Sequence, residues 1–208
     1  MNLQPTVFLV DDDEAVRDSF SLSLEMAGLT VVGYASAQAF LDHYESTQPG
    51  CLILDVRMPD MSGLELQEAL SERKISIPII FITGHGDVPM SVKAVKAGAV
   101  DFLEKPFKKE ILLERIQEAL AQDVRQRQAE ADTSLVLARF AHLTPREQEV
   151  MALVIAGKSN KEIARALAIS PRTVETHRAR IMEKMEADSL PDLVMLAAQC
   201  GITATKPQ

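Results

Sequence analysis

Acidic residues follow two apolar segments in the first half of the chain. Asp11 and Asp12 come directly after Val7-Phe-Leu-Val10, and Asp55 ends the run that begins at Cys51. If these runs are neighbouring parallel strands, their terminal carboxylates meet at one edge of a sheet. Crowded carboxylates repel one another unless a hard divalent cation lies among them, and oxygen-only ligands favour Mg²⁺. The pattern therefore predicts a site for a metal ion and a phosphoryl group.

Helix capping is a simpler explanation for part of this pattern. Asp12 and Asp13 stand where a helix begins, and acidic residues are common at that position. Asp55 needs another explanation, since residues 56–63 form a loop before the next helix. Capping accounts for Asp13 and leaves Asp55 as the candidate for chemistry.

Two further strand ends supply groups that complement a phosphate. Thr83 closes an apolar run that begins at Ile79, and Lys105 follows the run at 100–103. A hydroxyl and an ammonium group suit phosphoryl oxygens. Alone, the threonine would be a turn former and the lysine a solvated loop residue. Together with the acidic residues, they favour a phosphoryl site.

Five short apolar runs, each followed by a stretch with helical periodicity, indicate how these groups are positioned. The runs lie at 7–10, 29–34, 51–54, 79–83 and 100–103. Five such units predict an α/β fold with a doubly wound five-stranded parallel sheet in the order 2-1-3-4-5. Gly28 and Gly98 stand where helices end, and Ser36 stands where one begins.

The charge of the chain is unevenly distributed. The 208 residues have a formal net charge of −8; residues 1–120 contain 10 Lys and Arg against 19 Asp and Glu, and residues 121–208 contain 12 against 11. The overall acidity argues against nucleic-acid binding, but binding depends on the charge of the contacting surface and not on that of the whole chain. Residues 172–184 contain Arg172, Arg178, Arg180 and Lys184, so the second half can still meet phosphates.

The N-terminal segment, the length of the apolar stretches and the two cysteines bear on the localisation of the protein and on the state of its thiols. The N-terminus has no basic segment, and no apolar stretch approaches the ~20 residues of a membrane span. We expect a cytoplasmic protein with no membrane partner. Cys51 and Cys200 are far apart and form neither a disulfide framework nor a metal-ligand spacing, so we expect structural thiols.

The second half carries repeated helix-start signals. Thr144-Pro-Arg-Glu147 and Ser159-Asn-Lys-Glu162 are capping boxes, Pro171 opens another helix after a tight turn, and Ser189 begins a fourth. Two short helices joined by a tight turn indicate a helix-turn-helix in an all-α four-helix domain. The stretch 108–137 contains neither Gly nor Pro, which favours a helical connector.

These motifs resemble a known family. The acidic residues after the first strand, Asp55, Thr83 and Lys105-Pro106 resemble the flavodoxin-like receiver domain of two-component response regulators. The segments 143–147, 157–164 and 169–178 resemble the LuxR-type (NarL/LuxR) DNA-binding domain. The whole chain is similar to FixJ-like response regulators. The resemblance implies a receiver at 1–122, a helical linker at 123–140 and a LuxR-type helix-turn-helix domain at 141–208.

The receiver resemblance implies roles for individual residues. Asp55 would be the phosphoacceptor. Asp12, Asp55 and the backbone carbonyl of Arg57 would bind Mg²⁺ directly, and Asp11 would bind it through water.

It also implies how a phosphoryl group is held and sensed. Thr83 and Lys105 would contact the phosphoryl oxygens, and the peptide between Lys105 and Pro106 would be cis. Phe102 would fill the space that Thr83 vacates, so these two residues would form the switch. We expect the segment Gly84–Met90 to be a loop that rearranges.

The LuxR-type resemblance places the helix Pro171–Met185 in the DNA major groove. The implied DNA-contacting residues are Lys161, Arg172, Thr173, Glu175, Thr176, Arg178, Ala179 and Arg180. Of these, Glu175, Thr176 and Ala179 would be nearest the base edges and the arginines nearer the phosphates. The implied partners are a sensor histidine kinase, promoter DNA, RNA polymerase and a second copy of the chain after phosphorylation. The usual family output is activation of transcription.

Two other functions compete with this interpretation. The chain could be a phospho-dependent protein-interaction module that does not bind DNA. It could also be an enzyme, because haloacid-dehalogenase-type phosphatases form an aspartyl phosphate. Those enzymes need a second acid two residues after the nucleophile, where this chain has Arg57. We therefore expect no enzymatic activity beyond self-phosphotransfer and autodephosphorylation.

Overall fold

The computed structural model describes residues 4–84 and 88–202 of the chain. The chain divides into two compact units, Met1–Gln126 and Arg127–Gln208. In the described ranges, no helix is both long enough and apolar enough to cross a bilayer.

The first unit contains a five-stranded parallel sheet. Its strands are β1 (Thr6–Val10), β2 (Thr30–Tyr34), β3 (Gly50–Asp55), β4 (Ile79–Thr83) and β5 (Asp101–Glu104). Their order in the sheet is β2-β1-β3-β4-β5, which confirms the predicted order. Because β1 and β3 are neighbours in this order, Asp11 and Asp55 lie at the same edge of the sheet.

Helices cover both faces of this sheet. They are α1 (Glu14–Glu25), α2 (Ala37–His43), α3 (Gly63–Glu72), α4 (Val88–Lys96) and α5 (Lys109–Ala141). Alternate side chains of β1 point to opposite faces of the sheet. Phe8 and Val10 pack with α2 and α3, whereas Val7 and Leu9 pack with α1 and α5. The central strands are apolar along their length because both of their faces are buried.

Local signals set the helix ends. Asp13 caps α1 by accepting hydrogen bonds from the backbone N–H groups of Ala15 and Val16, as the capping interpretation predicts. Ser36 caps α2. Gly28 and Gly98 adopt φ values of +84° and +95°, the left-handed conformation expected where helices end.

The end of the predicted loop at Gly84–Met90 is helical. Residues 85–87 lie outside the described residues, whereas Val88 and Met90 already belong to α4. Proline at the second position of α4, Pro89, is compatible with a helix start, because the first-turn N–H groups have no helical acceptor.

Helix α5 extends to Ala141 and includes all of the segment 123–140 that the sequence suggests as a linker. Asp123 is buried and accepts a hydrogen bond of 2.9 Å from the Gly50 backbone N–H within the first unit. Val136 belongs to the apolar core of the second unit. The linker limits stay a prediction.

The second unit contains the four predicted helices after α5. They are α6 (Pro145–Ile155), α7 (Asn160–Ala166), α8 (Pro171–Met185) and α9 (Leu190–Gln199). The predicted capping boxes are present at Thr144 with Glu147 and at Ser159 with Glu162. The core side chains come from all four helices and include Val150, Val154, Ile163, Val174, Ile181, Met185 and Leu193.

Candidate phosphorylation site and DNA-binding surface

The carboxyl edge of the sheet brings Asp11, Asp55 and Lys105 together. The Nζ atom of Lys105 lies 3.3 Å from Oδ2 of Asp11 and 3.6 Å from Oδ1 of Asp55. Asp11 is 5% exposed and Asp55 is 9% exposed. The ammonium group therefore faces two carboxylates that are largely removed from water, so their interaction is stronger than that of a solvated ion pair.

Backbone hydrogen bonds orient both carboxylates. The backbone N–H of Arg57 donates to Oδ2 of Asp55 at 2.6 Å, and the backbone N–H of Asp13 donates to Oδ1 of Asp11 at 3.0 Å. A guanidinium N–H of Arg17 donates to the Asp11 backbone carbonyl at 2.8 Å. In each carboxylate, the oxygen that does not accept a backbone hydrogen bond faces Lys105: Oδ2 of Asp11 and Oδ1 of Asp55.

Close backbone packing also supports Asp55. Gly63, the first residue of α3, lies so near that an added Cβ would be 2.3 Å from the Asp55 carbonyl oxygen. Its backbone N–H donates to the Val56 carbonyl at 3.0 Å. A side chain at this position would therefore displace the strand end that carries Asp55.

The electrostatics of the edge favour an added cation. Burial raises the pKa of Asp55, and the charges of Asp11 and Asp12 raise it further, whereas the Arg57 N–H and Lys105 lower it. Oxygen donors under mutual repulsion fit a hard divalent cation. In residues 4–84 and 88–202, no cluster of three or more His, Cys, Asp and Glu side chains is arranged to hold a metal. The predicted ligand set includes the Arg57 carbonyl and does not depend on such a cluster.

Thr83 and Phe102 lie on the neighbouring strands. Thr83 is buried at the end of β4, and its carbonyl accepts a hydrogen bond of 2.8 Å from the Lys105 backbone N–H. Phe102 is half-buried on β5, opposite Phe81 in the register, with ring centroids 6.1 Å apart. The peptide between Lys105 and Pro106 is cis.

Lys105 also has an aromatic contact that the sequence does not predict. The Nζ atom lies 5.6 Å from the ring centroid of Phe20 on α1. The Phe20 ring stacks on Phe107, with centroids 6.0 Å apart and ring planes 23° apart. From sequence, Phe20 is indistinguishable from an ordinary apolar residue on the inner face of a helix.

Helix α8 exposes nearly all the predicted DNA-contacting residues. Val174, Ile181 and Met185 are buried, which turns the opposite side of the helix to solvent. The exposed predicted residues on α8 are Arg172, Thr173, Glu175, Thr176, Ala179 and Arg180, and Lys161 is exposed on α7. Arg178 is half-buried, and its Nη1 donates to Oδ1 of Asn160 at 3.2 Å.

Lys184 has a different role from the other basic residues near it. Its Nζ donates to Oε2 of Glu147 at 2.7 Å. The bond to Lys184 and the Thr144 backbone N–H hold the pKa of Glu147 at about 2. The charge of Lys184 is therefore paired within the unit, and Arg172 and Arg180 are the exposed basic residues in the stretch 172–184.

Comparisons with known proteins agree with this arrangement. Residues 7–117 match the response regulator receiver domain, and residues 141–197 match the luxR family of bacterial regulatory proteins. The transcriptional regulatory protein FixJ of Rhizobium meliloti (strain 1021) is 50% identical over 196 residues, or 94% of this chain and 96% of that protein. The response regulator protein TodT of Pseudomonas putida is 47% identical, over 90% of this chain and 83% of that protein. The solved structure of the response regulator StyR has a TM-score of 0.82 at 47% identity and covers 94% of this chain and 99% of that chain.

A receiver sheet followed by a LuxR-type helix-turn-helix unit defines a two-component regulator of transcription. The chain belongs to the FixJ-like response regulators with a LuxR-type output domain. The predicted fold class is confirmed. The two domains imply a histidine kinase as one partner and DNA as the other, and the interpretation as an interaction module without DNA binding is not supported.

Proposed function

We propose that Asp55 accepts a phosphoryl group from the phosphohistidine of a sensor kinase. An oxygen of Asp55 forms a bond to phosphorus, the phosphorus–nitrogen bond breaks, and the imidazole leaves with the electron pair. The observation that carries this proposal is the approach of Lys105 Nζ to both Asp55 and Asp11 at the edge between β1 and β3. Positioning and electrostatic stabilisation are the main contributions that a protein makes to phosphoryl transfer, and Lys105 can supply part of both.

Asp11, Asp12, Asp55 and the backbone carbonyl of Arg57 are the proposed Mg²⁺-binding groups. When bound, the ion supplies positive charge that offsets the repulsion among these oxygens and the incoming phosphoryl group. The raised pKa of Asp55, caused by burial and by the neighbouring aspartates, supports the need for this charge.

Lys105 and Thr83 are the proposed contacts of the phosphoryl oxygens. The hydrogen bond between their backbones holds the two strand ends together, so both side chains start from the same edge. Thr83 would turn toward the phosphoryl group, and Phe102 would rotate inward in response. Phe102 packs beside Phe81 and is half-buried, which gives its ring both an exposed and an interior side.

Phosphorylation would favour a homodimer. In the second unit, α9 leaves Leu190, Val194 and Met195 exposed by 40%, 40% and 61%. In the first unit, α4 leaves Val92 and Val95 exposed. Such apolar surface is suited to an isologous contact between two copies.

The dimer would bind promoter DNA through α8, with one recognition helix in each major groove of paired half-sites. Arg172, Arg178 and Arg180 would contact phosphates, and Lys161 on α7 would add a further phosphate contact. Near the base edges, Glu175 would accept from a cytosine amino group, with Thr173, Thr176 and Ala179 beside it. The output is activation of transcription through RNA polymerase, in the cytoplasm.

The chemistry of the chain would be limited to its own phosphorylation and dephosphorylation. The residue two positions after Asp55 is Arg57, so the chain lacks the second acid used by dehalogenase-type phosphatases. Hydrolysis of the aspartyl phosphate would reset the regulator without acting on another substrate.

Intact-mass spectrometry tests the phosphoacceptor. The protein is incubated with Mg²⁺ and acetyl phosphate, and we expect one phosphoryl group in the wild type and none in Asp55→Asn. Asp60→Asn is the matched control, because Asp60 is exposed in the following loop and its φ of 65° suits asparagine. Stoichiometric phosphorylation of Asp55→Asn would contradict the assignment.

A further inference from the structure

The ammonium group of Lys105 is held by more than the two carboxylates. Asp11 and Asp55 approach it at 3.3 and 3.6 Å, and the Phe20 ring centroid lies 5.6 Å away. The carboxylates change their partners when a phosphoryl group arrives, since Asp55 then becomes an acyl phosphate. The Phe20 ring does not take part in the reaction, so its contact with the ammonium group is the same before and after phosphorylation.

Phe20 is itself fixed by a second ring. Its stacking partner, Phe107, lies two residues after Lys105 and at a centroid distance of 6.0 Å. The α1 helix and the segment that follows β5 are thereby in contact beside Lys105. A cavity of about 230 Å³ opens beside the stem, and it is lined in part by Phe20, Lys105, Phe107 and Leu112.

This cavity provides an alternative direction for the lysine side chain. The Lys105 side chain is 26% exposed, and a shorter aliphatic residue at position 20 would enlarge the space beside it. An ammonium group that turned into this space would leave the carboxylates. The ring therefore favours the conformations in which the ammonium faces Asp55.

We infer that Phe20 is a positioning residue for phosphoryl transfer, which acts by holding the Lys105 ammonium toward Asp55. The inference rests on the proposed role of Lys105. With acetyl phosphate, an oxygen of Asp55 bonds to phosphorus, the phosphorus–oxygen bond to the acetyl group breaks, and acetate leaves with the electron pair. The positive charge of Lys105 attracts the oxygens on which negative charge develops.

The expected effect is modest and measurable. A cation–π contact at a partly exposed site contributes an amount that corresponds to about a two- to fivefold change in rate. We expect Phe20→Leu to slow phosphorylation by acetyl phosphate in the presence of Mg²⁺ by that factor. Phe20→Tyr retains the ring face, so we expect a rate within experimental error of the wild type.

A matched control separates positioning from general loss of packing. Tyr44 is also half-buried in the first unit, where its ring packs against Phe8 and Phe40 near the opposite ends of the strands. We expect Tyr44→Leu to lower the melting temperature and leave the phosphorylation rate unchanged. Thermal unfolding of every full-length variant shows whether it is folded under the assay conditions.

The outcomes distinguish this inference from the proposed function. Slow phosphorylation of Phe20→Leu with recovery in Phe20→Tyr supports it, as does the absence of any further slowing by Phe20→Leu in a Lys105→Met background. A wild-type rate for Phe20→Leu alongside a slow Lys105→Met overturns the role of Phe20 alone. Equal slowing by Phe20→Leu and Phe20→Tyr also overturns it. A wild-type rate for Lys105→Met contradicts the proposed role of Lys105.

Discussion

The ion pair between Glu147 and Lys184 joins the first turn of α6 to the last turn of α8, the proposed recognition helix. Lys184 Nζ lies 2.7 Å from Oε2 of Glu147, and Glu147 is 2% exposed. The same oxygen accepts a hydrogen bond from the Thr144 backbone N–H at 2.9 Å. Replacing Lys184 by Met keeps an unbranched stem and removes the ammonium, so a buried carboxylate loses its cation.

The size of the expected loss of stability follows from the lowered pKa of the Glu147 carboxyl group. Its pKa lies at about 2 instead of 4.5, with the Lys184 bond as the largest cause and the Thr144 N–H next. A difference of that size corresponds to roughly 3 kcal/mol in favour of the folded state. The Thr144 bond survives the substitution, and solvent screens the Lys184 side chain, which is 35% exposed. We therefore expect Lys184→Met to cost about 2 kcal/mol, or about 10 °C in melting temperature for a unit of this size.

The effect has a defined pH dependence. Because the folded-state pKa of Glu147 is lowered, its contribution is complete above the ordinary value of 4.5 and is lost as the pH falls toward about 2. The difference in stability between Lys184→Met and the wild type should be largest near neutral pH. It should shrink progressively through that acidic range.

Urea unfolding measures this difference. Tyr34 and Tyr44 are the two tyrosines and the chain has no tryptophan, so tyrosine fluorescence follows the first unit and helical circular dichroism follows both. Lys158→Met is the matched control, because Lys158 pairs with Glu162 at 3.7 Å across two roughly half-exposed side chains, and such pairs contribute little. Equal stabilities of Lys184→Met and the wild type at neutral pH, or a difference unchanged by acid, would refute the reasoning.

Three further substitutions test other parts of the account. Gly63→Ala should cost about 1–3 kcal/mol and slow phosphorylation, because the added Cβ would lie 2.3 Å from the Asp55 carbonyl oxygen. Urea unfolding and intact-mass kinetics check this. Gly33→Ala is the control, because its added Cβ would have its nearest neighbour, Cδ of Arg17, at 3.9 Å. Asp123→Ala removes the acceptor of the buried Gly50 N–H and should lower the free energy of unfolding by about 1–3 kcal/mol. Tyrosine fluorescence in urea measures this change, and an unchanged unfolding midpoint would contradict the prediction. Arg180→Ala should weaken DNA binding and lower the salt slope by about 1 without changing sequence preference, whereas the exposed Arg125→Ala should leave both unaltered in a fluorescence-anisotropy titration.

The position of the acidic site at the edge of the sheet could be predicted, because the sequence patterns that indicate it are local. Each strand is a continuous apolar run, since both faces of a parallel sheet are buried, and Asp11 and Asp55 stand directly at the ends of two such runs. The topology of doubly wound sheets then places those ends side by side. The capping residues Thr144 and Ser159 predicted the starts of α6 and α7 for the same reason, as a cap acts within one helical turn.

Contacts between distant segments could not be predicted in this way. Lys184 has the same residue type and spacing as a DNA-contacting residue, and only the fold brings it to Glu147, 37 positions earlier. Phe20 likewise reads as an ordinary core residue until α1 is placed beside Lys105. The stretch 108–137 that favours a helix stops four residues short of the end of α5 at Ala141, because no glycine or proline marks that end.

Selection of duplex DNA tests the central claim that phosphorylation of the receiver gates sequence-specific DNA binding. The full-length protein with Mg²⁺, with and without beryllofluoride as a phosphoryl mimic, is presented with random duplexes, and the retained DNA is sequenced. The account predicts that a motif of paired half-sites is enriched only with the mimic and that Arg180→Ala reduces its retention. Equal enrichment without the mimic, or no enrichment of any duplex, would contradict it.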